Sequence, residues 1–126
     1  MARVDKTDSA IGVVRAPIDA DFAEADFDTV IGVGINAAGH VVKGAGQTGV
    51  IGVAIPGRTV HRAGQICDIF KLADIVEFDG AAGTKYWADA AGVVSATDAA
   101  GSVYVGYTVE ADRLILGGEF HPSAAV

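Results

Sequence analysis

The sequence predicts an all-β domain of short antiparallel strands, closed as a small barrel or stacked as a sandwich, and preceded by an extended N-terminal arm. Three observations carry that prediction. Seventeen Val and ten Ile stand against three Leu, a bias toward side chains that fit a pleated sheet. Seventeen Gly interrupt the apolar runs, as the turns between short strands require. Turn signals recur at Ala37-Ala38-Gly39, Pro56-Gly57, Asp79-Gly80, Ala90-Ala91-Gly92 and Ala99-Ala100-Gly101, a spacing that gives eight or nine strands from Val30 onward.

The elements follow in order. Residues 1–30 hold three basic and seven acidic side chains, a net charge of -4. Within them Ala10, Ile11, Gly12, Val13 and Val14 form a β-capable run ahead of Pro17, and the segment from Asp19 to Asp28 is polar, with Phe22 and Phe27 five residues apart. This reads as an arm over residues 1–28, ending in a loop or one helical turn, ahead of a single β domain over 29–126. The arm has too few apolar residues to fold alone, so it is either mobile or docked. Phe22 and Phe27 have no core of their own and pack against the domain body or a partner.

The domain carries an internal repeat. Residues 35–55 read INAAGHVVKGAGQTGVIGVAI and residues 88–109 read ADAAGVVSATDAAGSVYVGYTV. Both run AAG, one residue or none, VV, a small polar loop, then a strand broken by Gly52 or Gly106. At those glycines a strand bends or admits another backbone closely. Strict alternation in SVYVGYTV assigns Val103, Val105, Tyr107 and Val109 to one face and Tyr104, Gly106 and Thr108 to the other. A turn at Ala111-Asp112 then returns the chain as RLILGGEF, an antiparallel hairpin.

Composition excludes several function classes. The 126 residues, 51% of them hydrophobic, suit one domain with a real core. A net charge of -7 with no basic cluster repels nucleic-acid phosphates. No apolar stretch approaches the roughly 20 residues of a bilayer-spanning helix, and the first residues lack the apolar core and cleavage site of a signal peptide. The expectation is a protein made in the cytoplasm, with no nucleic acid or membrane as partner. The lone Cys67 forms no internal disulfide, so packing or oligomerisation holds the fold.

The motifs that could carry chemistry fail on context. Gly44-Ala45-Gly46-Gln47-Thr48-Gly49 matches GxGxxG, but a dinucleotide site needs a helix after the third glycine, and here VIGVAIPG follows. The segment reads as a loop between strands. The acidic run Asp19, Asp21, Glu24, Asp26 and Asp28 lacks the glycine and glutamate spacing of an EF-hand and reads as solvated or partner-facing. His40, His61 and His121 form no HxxxH pair. Ser95, Ser102 and Ser123 lack a nucleophile elbow, and Asp68 disfavours a Cys67 thiolate. No catalytic residue, metal or cofactor is expected. Tyr86 and Trp87, the one dense aromatic pair, are either core plugs or interface anchors.

Taken in order, these segments resemble the small capsid decoration, or cement, proteins of tailed bacteriophages. The residues that carry the resemblance are the strand pairs around the two AAGxVV segments, GVIGVA with the later Ala63-Gly64-Gln65, the segment Gly83-Thr84-Lys85-Tyr86-Trp87, and GYTVEA before the last strand. The resemblance covers about residues 29–120 and leaves the acidic arm outside. It implies a β-barrel or β-tulip-like domain, a homotrimer at three-fold and quasi-three-fold positions on the outside of a virus head, and the major capsid protein as partner. It also implies that the trimers hold the capsid lattice against the pressure of packaged DNA. An arm that adds a strand to a capsid sheet edge would use the run Ala10 to Val14. The alternative of another class is a glycan-binding β module on a virion or cell surface, with Trp87 as its platform.

Overall fold

A computed structural model describes residues 14–71 and 74–117. Ten short strands account for the regular structure, with one 3-10 turn at Glu24–Asp26. β1 (Val14–Pro17) pairs antiparallel with β5 (Ile66–Ile69). β2 (Ile31–Ile35) lies between β3 (Val41–Lys43) and β4 (Gly52–Ala54). The third sheet has the order β6 (Ile75–Glu77), β10 (Arg113–Ile115), β9 (Val103–Thr108), β7 (Lys85–Ala88), β8 (Val94–Ser95). The all-β, antiparallel expectation holds, and nine strands follow Val30.

The barrel does not. None of the three sheets closes on itself, and the reason is strand length. Strands of two to six residues are too short for the continuous staggered pairing that closure needs. Where sheet edges meet, single bridges stand in for ladders: Val53↔Phe70 joins β4 to β5, and Ile18↔Val41 brings the chain after β1 to β3.

The Val53↔Phe70 bridge also shows that the repeat is wider than the sequence echo. With β4 joined to β5, strands β1 to β5 run in the order 1-5-4-2-3, and β6 to β10 repeat that order in the third sheet. The chain is two copies of one five-strand unit. Each AAG turn closes the hairpin of its unit. Ile35 pairs with Val41, and Ala88 with Val94. The turn residues 36–40 and 89–93 therefore correspond, and Val93 stands where His40 does. The sequence alignment that matched VV to VV with a gap is corrected by one residue.

Two cores result. Ile18, Phe22, Ile31, Val33, Val41, Ala54, Cys67 and Ile69 fill the first unit. Val76, Tyr86, Ala88, Val103, Val105, Leu114 and Leu116 of the second pack with Val30, Val50 and Val53 of the first. Burial of side chains as complete as Val33, Val53 and Leu114, each 0% exposed, contributes about 1.5–3 kcal/mol apiece. β4 is buried on both faces, with Val53 in one core and Ala54 in the other.

The alternation expected for residues 103–109 breaks. Trp87 pairs with Tyr104 and Tyr86 with Gly106, so Val105 is an extra residue in β9, a β-bulge. Beyond the bulge the faces exchange: Tyr107 and Val109 are 41% and 56% exposed, and Thr108 is buried. The bulge sits at Gly106, where a Cβ would collide with the Ile115 carbonyl of β10. The equivalent Gly52 is held to the same rule, since a Cβ there would stand 2.6 Å from the Phe70 carbonyl oxygen of the strand beside it. Both glycines do what the sequence reading asked of them. The hairpin around Ala111-Asp112 also forms, with Leu114 opposite Thr108 and Ile115 opposite Tyr107.

Candidate functional site

The outer face of the five-stranded sheet carries a row of partly exposed apolar side chains. In an antiparallel sheet, directly paired residues point to the same face. Ile75 pairs with Ile115, Ile115 with Tyr107, and Tyr107 with Lys85, so these four stand side by side across β6, β10, β9 and β7. Ile75 and Tyr107 are 56% and 41% exposed. Beside this row, Trp87 pairs with Tyr104, and their rings meet edge to face at 5.7 Å. The burial of its ring and the nearby Tyr107 phenol raise the Tyr104 hydroxyl above the usual tyrosine range. Arg113 and Glu77, paired across β10 and β6, flank the face with charge.

Tyr86 and Trp87, adjacent in sequence, separate by the alternation of β7. Tyr86 is buried against Phe78, ring centroids 4.7 Å apart, and its hydroxyl accepts the Ala81 amide at 2.7 Å. It is a core residue that also clamps the turn before β7. Trp87 is half-buried on the open face. Sequence reasoning singled out Trp87 but not Tyr104, Tyr107, Ile75 or Ile115, because the row is assembled from four separate segments.

Residues 14–28, read from the sequence as the end of an arm, are built into the first unit. Val14 opens β1 opposite Ile69, while Ala10, Ile11, Gly12 and Val13 lie outside the described residues. Phe22 is buried in the first core. Phe27 is half-buried with its ring 4.7 Å from that of His61. The acidic side chains fasten this segment down. Asp26 pairs with Lys43 at 2.9 Å, Asp19 Oδ1 stands 3.1 Å from His40 Nδ1, and Asp21 accepts the Ala63 amide at 2.8 Å. The His40 imidazole and then the Asn36 side chain hold the Asp19 carboxyl below the ordinary aspartate range.

The remaining candidates are placed as follows. The GxGxxG segment is a loop from β3 to β4 with no helix after it, and Gly44, Gly46 and Gly49 all take positive φ. Cys67 is buried, and burial followed by the Asp68 charge pushes its thiol up. A cleft of about 650 Å³ is lined by Asp28, Val30, Ile55, Glu77, Phe78 and Asp79. Thr29 also lines it, with its hydroxyl donating to the Phe27 carbonyl at 3.3 Å, so the cleft offers carboxylates around an aromatic edge. Among the described residues no group of three or more His, Cys, Asp or Glu side chains is arranged to hold a metal ion, and no helix is long and apolar enough to cross a membrane. His121 and Ser123 lie outside the described residues.

No protein-family model matches the sequence, and no curated protein matches it. Among solved structures, a chain from Mycobacterium phage Patience is similar to this one with a TM-score of 0.74, covering 94% of this chain and 96% of that chain at 20% identity. At that identity the likeness establishes the fold alone.

Proposed function

We propose that this chain is a structural protein of a phage virion. It binds the outer surface of the head as trimers at three-fold and quasi-three-fold positions and stabilises the lattice of the major capsid protein against internal DNA pressure. The observation that carries this reading is the fold likeness to a phage chain over most of the length of both. The sequence resemblance to decoration proteins is independent of it and points the same way. The architecture suits the task, since apolar residues on an open sheet face give a surface for assembly. Many copies, each weakly attached, then hold a shell by avidity.

Attachment is assigned to the run from Ala10 to Val14, whose last member already begins β1. Strand addition to a capsid sheet edge needs main-chain groups and no pocket. The test is co-sedimentation of the full chain, and of a chain lacking residues 1–13, with undecorated expanded heads. The full chain is expected to bind saturably. The shortened chain, which keeps β1, is expected to keep its mass in solution and lose the heads. Failure of the full chain to bind overturns the reading; full occupancy by the shortened chain overturns the role of the arm.

One observation favours the glycan-binding alternative: Trp87, Tyr104 and Tyr107 share one open face. A Trp87→Ala variant that stays folded and loses binding to a glycan array would support it over the capsid reading.

A further inference from the structure

The five-stranded sheet ends at β6, and its hydrogen bonds show which main-chain groups that edge presents. Phe78 donates its amide to the Asp112 carbonyl at 3.0 Å, and Leu116 donates to the Asp74 carbonyl at 2.9 Å. Residues 74 and 78 are therefore bonded positions, and so is Val76 between them, opposite Leu114. Ile75 and Glu77, opposite Ile115 and Arg113, are the non-bonded positions, whose N–H and C=O groups point away from β10. Among the described residues none bonds these groups, and both residues are exposed. The cleft of about 650 Å³ opens where β6 ends. Val30, Ile55 and Phe78 give it apolar walls, and Asp28, Glu77 and Asp79 give it charge, with no Lys or Arg in its described lining. Arg113, opposite Glu77, is held by Glu110 at 2.6 Å, so this end of the sheet keeps a negative excess.

We propose that β6 accepts an added strand from a partner protein, an extended segment whose backbone pairs with Ile75 and Glu77 and whose Lys or Arg side chain enters the cleft. The edge supplies outward amides and carbonyls on alternate residues, the array that strand addition needs. The cleft supplies apolar walls for the stem of a basic side chain and carboxylates for its head. Like charge argues against a second copy of the same edge, which would set Glu77 and Asp79 against their own kind. The first unit gives an internal contrast. Its equivalent edge is β1, where Ile18 donates to Gln65 at 2.8 Å and the outward positions are therefore Arg15 and Pro17. Pro17 has no amide to offer, and Arg15, opposite Asp68, stands where β6 has Glu77 opposite Arg113. A basic segment that fits β6 is thus refused by β1. Only the identity of the protein that supplies the segment, the major capsid protein, rests on the proposed function.

The experiment is 1H–15N NMR with amide exchange on the full chain, titrated with a blocked peptide of alternating valine and lysine. The Ile75 and Glu77 amides are expected to shift and to exchange more slowly in the complex, with further shifts at Asp28 and Asp79 and none at Arg15. The same peptide with glutamate in place of lysine is expected not to bind. Ile75→Pro removes one outward amide and leaves the bonded positions 74, 76 and 78 untouched, so it is expected to fold and to lose the peptide. N-methylation of alternate peptide amides makes the same test on the parent chain and is expected to abolish binding. A lysine peptide that does not bind or shifts other residues instead, a glutamate or N-methylated peptide that binds as well, or an Ile75→Pro chain that binds unchanged overturns the proposal. Co-sedimentation with expanded heads separates the two readings. Peptide binding at β6 by a chain that never binds heads keeps the edge site and removes the capsid role. A chain that binds heads but not the peptide, and binds them equally well as Ile75→Pro, does the reverse.

Discussion

The Gly32 amide donates to the Gly92 carbonyl at 2.8 Å, and through that bond the central strand of one unit meets the AAG turn of the other. The contact is tight on all sides. Gly44 donates to the Gly32 carbonyl at 2.8 Å, Ala45 donates to Ala90 at 3.1 Å, and Ile31 bridges to Val93. A Cβ on Gly92 would stand 2.6 Å from the Gly32 carbonyl oxygen and 2.8 Å from the Gly44 nitrogen. Backbone approaches backbone here because both sides have shed their side chains.

Gly39 is the counterpart of Gly92 in the other AAG turn, and the pair makes an internal control. Both take positive φ, 83° and 90°, but nothing lies within 4 Å of a Cβ on Gly39. Gly39→Ala is expected to cost about 1 kcal/mol, the penalty of a left-handed residue. Gly92→Ala carries that penalty plus displacement of two backbones, about 1–3 kcal/mol more. Urea unfolding midpoints compare them, and equal losses would remove the seam from the account of stability.

The same turns are held by one side chain each. Asn36 Oδ1 accepts the Ala38 and His40 amides, both at 3.0 Å. Asp89 Oδ1 accepts those of Ala91 and Val93, also at 3.0 Å. Removing either acceptor by Asn36→Ala or Asp89→Ala is expected to cost about 1–2 kcal/mol, since two amides lose their partner at the turn surface. Asp89→Asn keeps the oxygen and is expected to retain most of the stability. An Asp89→Asn protein as unstable as Asp89→Ala would contradict the shared geometry.

The features legible in the sequence are those fixed by local chemistry. The AAG turns, the loop character of Gly44 to Gly49, the close approach at Gly52 and Gly106 and the last hairpin each depend on residues adjacent in the chain. What escaped depends on partners far away. Ile18 is a single apolar residue in a polar run, so no periodicity marks it, yet it is buried. The outer strands of each unit share little: Val14 opposite Ile69 matches Val76 opposite Leu114, but beside them the charges are reversed, with Arg15 bonded to Asp68 at 2.8 Å in one and Glu77 opposite Arg113 in the other. The repeat was visible only where small residues recur. The exposed row of Ile75, Ile115 and Tyr107 required a bulge to turn Tyr107 outward, and a bulge leaves no pattern in a run of Val, Tyr and Gly.

Thr108 tests that bulge. Strict alternation would place it on the opposite face from Tyr107 and leave its hydroxyl in solvent if Tyr107 were core. Instead its hydroxyl donates to the Ala81 carbonyl and accepts the Thr84 amide at 3.1 Å, tying down the turn before β7. Thr108→Val keeps the shape and strands both partners, an expected loss of about 1–3 kcal/mol. A variant as stable as the parent in a thermal melt would put Thr108 on the outside.

The Asp19–His40 contact gives a pH dependence with a definite sign. The Asp19 carboxyl titrates below its ordinary value because the His40 side chain, then Asn36, favours the ionised form. A depressed carboxylate contributes stability that is present above the unfolded value of about 3.9 and is lost as pH falls through the folded value. His40→Ala is expected to return the Asp19 titration toward the ordinary value. Carboxyl-carbon NMR of the parent and variant measures it, and an unchanged titration would assign the shift elsewhere.

Cys67 reports on the first core without perturbing it. Its side chain is 5% exposed in the middle of β5, opposite Ala16 of β1. Burial first and the Asp68 carboxylate second hold the thiol protonated, and only the thiolate attacks an alkylating reagent. Labelling at neutral pH is therefore expected to be far slower in the native chain than in urea, at a rate set by opening of β1 from β5. Asp68→Asn removes the lesser cause and, with it, the Arg15 ion pair. Any acceleration should therefore follow from looser pairing more than from a shifted thiol, and raising the pH in the variant should quicken labelling as it does in the parent. A native thiol that reacts as fast as the unfolded one would mean that residues 14–17 do not cover β5, and that the segment following residue 13 is free rather than a strand of the first unit.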